Sequence, residues 1–70
     1  MSRFYVEFKL AGSVEFDDYY GDYVFADNAN QALNMICDWF FGGNPEINQR
    51  EVQYRVLTNT YEIIDEGWCD

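Results

Sequence analysis

Residues 23–45 read YVFADNANQALNMICDWFFGGNP. Tyr23 to Ala26 has the composition of a strand. Asp27 or Asn28 can cap a helix, and Asn28 with Gln31 has the spacing of a capping box. A helix is therefore expected over 28–41. At about 100° per residue, Ala29, Leu33, Ile36 and Phe40 form one apolar stripe, with Ala32 and Cys37 beside it. Asn30, Gln31, Asn34 and Asp38 face away. Met35 falls almost opposite the stripe, and Trp39 lies on its flank; exposed together they would make a contact patch, and otherwise Trp39 and Phe41 wrap a second small cluster. Gly42-Gly43 is expected to stop the helix with a positive φ, and Pro45 to prevent its resumption.

The flanking sequence on both sides is strand-like. Residues 3–10, RFYVEFKL, alternate cleanly, with Phe4, Val6, Phe8 and Leu10 on one face and Tyr5, Glu7 and Lys9 on the other. Residues 51–58 alternate too, setting Val52, Tyr54 and Val56 against Gln53, Arg55 and Leu57. Ala11-Gly12-Ser13 and Gly21-Asp22 are turn signals, so residues 3–26 read as a hairpin with a long, acidic, Tyr-rich connection. Thr58-Asn59-Thr60 reads as a tight turn, 61–64 as a closing strand and 65–70 as an acidic tail. The element order is β-β-α-β-β.

One helix on one face of an antiparallel sheet is the two-layer α+β solution to that order. Strand order 2-1-3-4 keeps all neighbours antiparallel and makes the helix crossover skip one strand. It sets Glu7 and Lys9 across from Gln53 and Arg55, where cross-strand pairs would neutralise part of the rare positive charge. The expected core is Phe4, Val6, Phe8, Leu10, Leu33, Ile36, Phe40, Val52, Tyr54 and Val56.

Seventy residues, read as a single domain over 1–70, leave room for one small core. Aromatics make up 20% of the chain, enough bulk to fill it and to argue against acidic disorder. No apolar run approaches a membrane span, and the start leads directly into strand-like sequence, so no signal peptide is expected. Cys37 and Cys69 are too few and too far apart in sequence for a disulfide scaffold or a zinc site. Two free thiols in a cytoplasmic protein are expected.

Charge dominates the rest. There are 13 acids against 4 bases, no histidine, and a net charge of −9. Residues 10–49 hold Glu15, Asp17, Asp18, Asp22, Asp27, Asp38 and Glu46 and no base. Such a field repels nucleic acid and anionic membrane and attracts basic protein surfaces.

Enzyme chemistry finds little support. No histidine can act as base or ligand, and Ser2 and Ser13 lie outside any nucleophile context. Gly42-Gly43-Asn44-Pro45 follows the helix, whereas a phosphate loop opens one. The acids from Glu15 to Asp22 do not match the spacing of a calcium loop. No cofactor and no metal are expected. The tyrosines among those acids have two readings. They seal an open core edge, or they form an interface in which phenols give contact area and carboxylates steer.

The compact β-β-α-β-β pattern, with YVFADNANQAL leading from strand through polar cap into helix, resembles the tiny proteins encoded by phages. With its charge, the chain resembles the small acidic inhibitors among anti-CRISPR and anti-restriction proteins, several of which imitate DNA. That resemblance implies a nucleic-acid-binding bacterial defence complex as target and a bacterial host cytoplasm as location. The expected working surface joins connection and tail: Glu15, Asp17, Asp18, Asp22, Asp65 and Glu66 in place of phosphates, with Tyr19 and Tyr20 beside them. A general interaction module using exposed aromatics is the alternative, and a small enzyme or metal binder is a third class.

Overall fold

The computed structural model describes residues 1–16 and 19–70. The two clearly alternating segments become its inner strands, β1 (Ser2–Leu10) and β3 (Val52–Thr58). β2 (Tyr20–Ala26) lies outside β1 and β4 (Ile63–Trp68) outside β3, so the sheet runs β2-β1-β3-β4. Every pairing is antiparallel. One helix, α1 (Ala29–Gly43), completes the α+β fold expected from the sequence and packs mainly over β2 and β1. A short 3₁₀ turn, Gln49–Glu51, leads into β3.

Both edge strands depart from the expected bounds, and glycine is the reason. β2 starts at Tyr20 and runs through Gly21-Asp22, which the sequence marks as a turn. β4 covers residues 63–68, so Asp65 and Glu66 belong to a strand and not to a tail. In each case a tyrosine from the neighbouring inner strand lies over the glycine. A side chain at Gly21 would meet the Tyr5 ring, with Cζ at 2.6 Å from the added carbon. At Gly67 the Tyr54 ring lies 3.4 Å from the same position. The rings cover backbone that a glycine would leave bare, which lets both edges stay paired. β4 also carries a bulge, where Val56 pairs with Asp65 but Leu57 pairs with Ile63.

Phe4, Val6 and Phe8 of β1, Val24 and Ala26 of β2, and Val52 and Val56 of β3 meet Ala32, Ile36, Phe40 and Phe41 of the helix. Three expected core positions fall short. Leu10 is 39% exposed at the end of β1, and Leu33 and Tyr54 are only half-buried. The helix is rotated so that Ala32, not Leu33, sits at the centre of its stripe. Met35 accordingly packs against the core and does not face away from it. Phe41 joins the main cluster and builds no second one, while Trp39 stays 55% exposed.

The helix ends differ in how well they follow the sequence. Asn28 is the N-cap and accepts from the Gln31 N–H at 2.8 Å. Gln31 Oε1 accepts from the Asp27 N–H at 2.6 Å, one residue before the usual partner of a capping box. At the other end Gly42 and Gly43 are helical, against expectation. Among the described residues the glycine with positive φ is Gly12, in the turn after β1. Asn44 ends the helix instead, its Nδ2 donating to the Phe40 carbonyl at 2.8 Å, and Pro45 follows.

Candidate functional site

The topology gathers several acid-bearing segments at one end of the molecule. β1 ends at this rim and β2 starts from it, since Phe8 pairs with Tyr20. α1 runs back along the sheet and brings its C-terminus here, where Phe40 and Phe41 pack on Phe8 at 5.1 and 5.8 Å between ring centroids. β3 starts here, with the Ala11 N–H bonded to the Glu51 carbonyl at 2.7 Å. β4 ends here, with the Cys69 N–H bonded to the Val52 carbonyl at 2.9 Å. The rim therefore collects Glu15, Glu46, Glu51 and Asp70. The negative pole of α1 points the same way, worth about half an elementary charge, and its last turn carries no base to offset it.

Of the eight residues expected to form the working surface, Glu15, Tyr19 and Tyr20 lie at this rim and Asp22 lies on β2 beside it. Asp17 and Asp18 lie outside the described residues. Asp65 and Glu66 sit on β4, at the opposite edge of the sheet from β2, three strand spacings or about 14 Å away. They also point to opposite faces. Glu66 pairs with Arg55 on the helix-free face, while Asp65 is half-buried and accepts from the Tyr54 hydroxyl at 3.1 Å.

Tyr20 is half-buried, stacked on Phe8 at 5.6 Å and close to Phe40 at 4.6 Å. It seals the core edge and supports the rim from beneath. Tyr19 is more exposed and meets Phe40 edge-on at 5.8 Å. Burial raises the phenols of Tyr19 and Tyr20, and Glu46 and Asp22 respectively raise them further. Both therefore keep their protons at neutral pH. Glu46 is a rim residue that the sequence reading did not select. The signal was available: Pro45 closes the helix at the end where β2 must begin.

Every base is held by a group of the chain itself. Arg55 donates from Nε to Glu7 Oε2 at 2.8 Å and from its NH2 nitrogen to the same oxygen, the cross-strand pair expected from order 2-1-3-4. Lys9 donates to the Ser13 carbonyl at 2.6 Å. Phe16 lies under both, 4.2 Å from the Arg55 guanidinium and 5.3 Å from the Lys9 ammonium. Arg3 lies over the Tyr23 ring at 4.7 Å, and Arg50 bonds Asp70 at 3.1 Å.

Glu7 is the one buried charged residue among those described. Replacing it with Ala should cost about 2–3 kcal/mol, because Arg55 would lose its partner while still three-quarters covered. Replacing both with Leu should cost far less. A double-mutant cycle in urea checks this, with a coupling above about 1 kcal/mol expected.

The helix-free face of the sheet is aromatic and carries Arg3, Lys9 and Arg55. Tyr5 and Tyr23 pack at 4.8 Å, Tyr61 meets Tyr5 edge-on at 6.1 Å, and the Tyr23 and Tyr61 hydroxyls bond one another. Tyr61 has a φ of 65°, a left-handed conformation held by that cluster. Phe25, Ile63 and Trp68 stand exposed on the same face. An open depression of about 590 Å³ lies at the end away from the acidic rim, lined by residues 1–4 with Phe25, Thr58 and Asn59.

Among the described residues, no three His, Cys, Asp or Glu side chains are grouped so as to hold a metal ion, and no helix is long and apolar enough to cross a membrane. No protein-family model, curated protein or solved structure matches this chain.

Proposed function

We propose that this chain is a small acidic inhibitor, of the anti-CRISPR and anti-restriction kind, that binds the basic nucleic-acid groove of a bacterial defence complex in the host cytoplasm. It acts by occupying the place of DNA phosphates, and not by catalysis. The observation that carries this reading is the one-sidedness of the field. Each of the four bases already has a partner within the chain, whereas Asp22 and Glu46 are exposed at the end of the molecule that holds the C-terminus of α1, a pole of the same sign, and Glu15 is exposed in the connection after β1. Lys and Arg that line a DNA groove pair with phosphates, and carboxylates on a firm scaffold can satisfy them instead.

The working surface in this reading is the rim, with Glu15, Asp22 and Glu46 as its carboxylates and Tyr19 adding a hydroxyl and contact area; Asp17 and Asp18, assigned to this surface from the sequence, lie outside the described residues. Asp65 and Glu66 form a separate acidic edge and contribute to long-range steering. A basic effector nuclease or restriction complex, titrated with the protein in a DNA-binding assay, tests the proposal. Inhibition should weaken by at least about tenfold as salt rises from about 50 to 200 mM.

The second reading, an interaction module without mimicry, is favoured by the exposed Phe25, Ile63 and Trp68 on the sheet face. An interface centred there should keep its affinity within about threefold over the same salt range, since apolar contacts are not screened. That outcome would replace the charge-based reading with the aromatic one.

A further inference from the structure

The helix and the edge strand farthest from it come together at two sulfur atoms. Cys37, on α1, and Cys69, one residue past β4, are 32 positions apart in sequence, yet both pack against the same core cluster, close enough for their side chains to interact. Both are half-buried. Tyr54 lies close enough to feel both. Each sulfur is placed by backbone that is already fixed. Cys37 follows Ile36, which is fully buried beneath the helix, and Cys69 is tied to β3 through its N–H bond to Val52. From the sequence only two free thiols could be expected, because their proximity is supplied by the fold.

We infer that Cys37 and Cys69 are an oxidisable pair whose disulfide fastens β4 to α1. β4 needs such a fastening more than any other strand. The helix lies mainly over β2 and β1, so β4 is held chiefly by its ladder to β3 and by the 3₁₀ turn. A bridge here closes a loop of about 30 residues containing the end of α1, β3 and β4, and removes chain entropy from the unfolded state. Neither cysteine is fully buried, which leaves the pair open to a small disulfide.

The chemistry is thiol–disulfide exchange with a low-molecular-weight disulfide as oxidant. The Cys37 thiolate attacks that disulfide, forming a mixed disulfide and expelling one thiolate. Cys69 then loses its proton and attacks the Cys37 sulfur, expelling the second. The protein loses two protons and two electrons, and the oxidant becomes two thiols. The order follows from the contact between them, which lowers the Cys37 thiol from its ordinary value and, together with burial, pushes Cys69 up.

The full chain, incubated with oxidised glutathione without denaturant, tests the inference. The intact mass should fall by two hydrogens, free thiol should disappear, and the chain should stay monomeric on a non-reducing gel. Its melting temperature should rise by about 10 °C or more and return on adding dithiothreitol. Cys37→Ser and Cys69→Ser should each form a mixed disulfide and show no such rise. Retention of both thiols, stable adducts at both sites, or disulfide-linked dimers would overturn the inference. So would a bridged chain that melts no higher than the reduced one.

Discussion

Replacing Phe8 with alanine is expected to remove most of the stability of this domain. Phe8 is fully buried near the C-terminal end of β1 and is packed by three rings, Tyr20, Phe40 and Phe41, at 5.6, 5.1 and 5.8 Å. It touches β2 and the last helical turn at once, so no single element can relax to fill the space. Truncating a buried Phe costs roughly 3–5 kcal/mol. A domain of this length has on the order of 4–10 kcal/mol in total. The melting temperature should therefore fall by at least about 12 °C, or the chain should be unfolded at 25 °C. Leu33→Ala serves as the comparison. It would be the costlier change if Leu33 were at the centre of the helix stripe, but it is half-buried and should cost no more than about 2 kcal/mol. A thermal melt with Leu33→Ala below Phe8→Ala would mean that the helix is rotated back toward the stripe centred on Leu33.

What the sequence made legible follows the inner strands. Residues 3–10 and 51–58 are covered on one face by the helix and flanked on both sides by strands, so alternation is enforced there and could be read directly. The edge strands answer to weaker constraints. Gly21 and Gly67 look like turn residues to any local reading, and only the overlying rings of Tyr5 and Tyr54 make them acceptable in a ladder. The helix was legible in place but not in rotation. Its stripe contains Ala29, Ala32 and Leu33 in one turn, and which of them points to the sheet depends on how Phe40 and Phe41 pack. Gly42-Gly43 was misread because the stop is made by the Asn44 side chain, a contact with no separate sequence signature.

The candidate site was half legible. The run of acids and tyrosines was visible, and Glu15, Tyr19, Tyr20 and Asp22 do share one end of the molecule. Asp65 and Glu66 were read as part of a tail, whereas residues 63–68 form an edge strand. Glu46 and the Cys37–Cys69 pair were missed for a common reason. Each contact joins segments distant in the chain, and only the topology brings them together.

Reversing Asp17, Asp18 and Asp22 to Lys should abolish inhibition of the target complex and leave the fold intact. Asp22 is exposed on an edge strand, where its carboxylate accepts only from the neighbouring Tyr23 N–H at 2.8 Å. Its replacement removes no core contact. Each reversal adds two charges, so the net charge moves from −9 to −3. That weakens the overall field as well as the rim, and the two effects must be separated. Asp27, Asp38 and Glu62 are exposed and lie outside the proposed set of rim carboxylates, and reversing them gives the same net charge. If the rim is the surface that replaces phosphates, the first triple variant should lose at least about a hundredfold in affinity. The second should lose about tenfold or less, mostly in association rate. Circular dichroism on both checks the fold. Equal losses would leave only a diffuse electrostatic attraction. A rim variant that stays folded and inhibits as well as the parent would move the contact to the aromatic sheet face, where Trp68→Ala and Phe25→Ala become the informative changes.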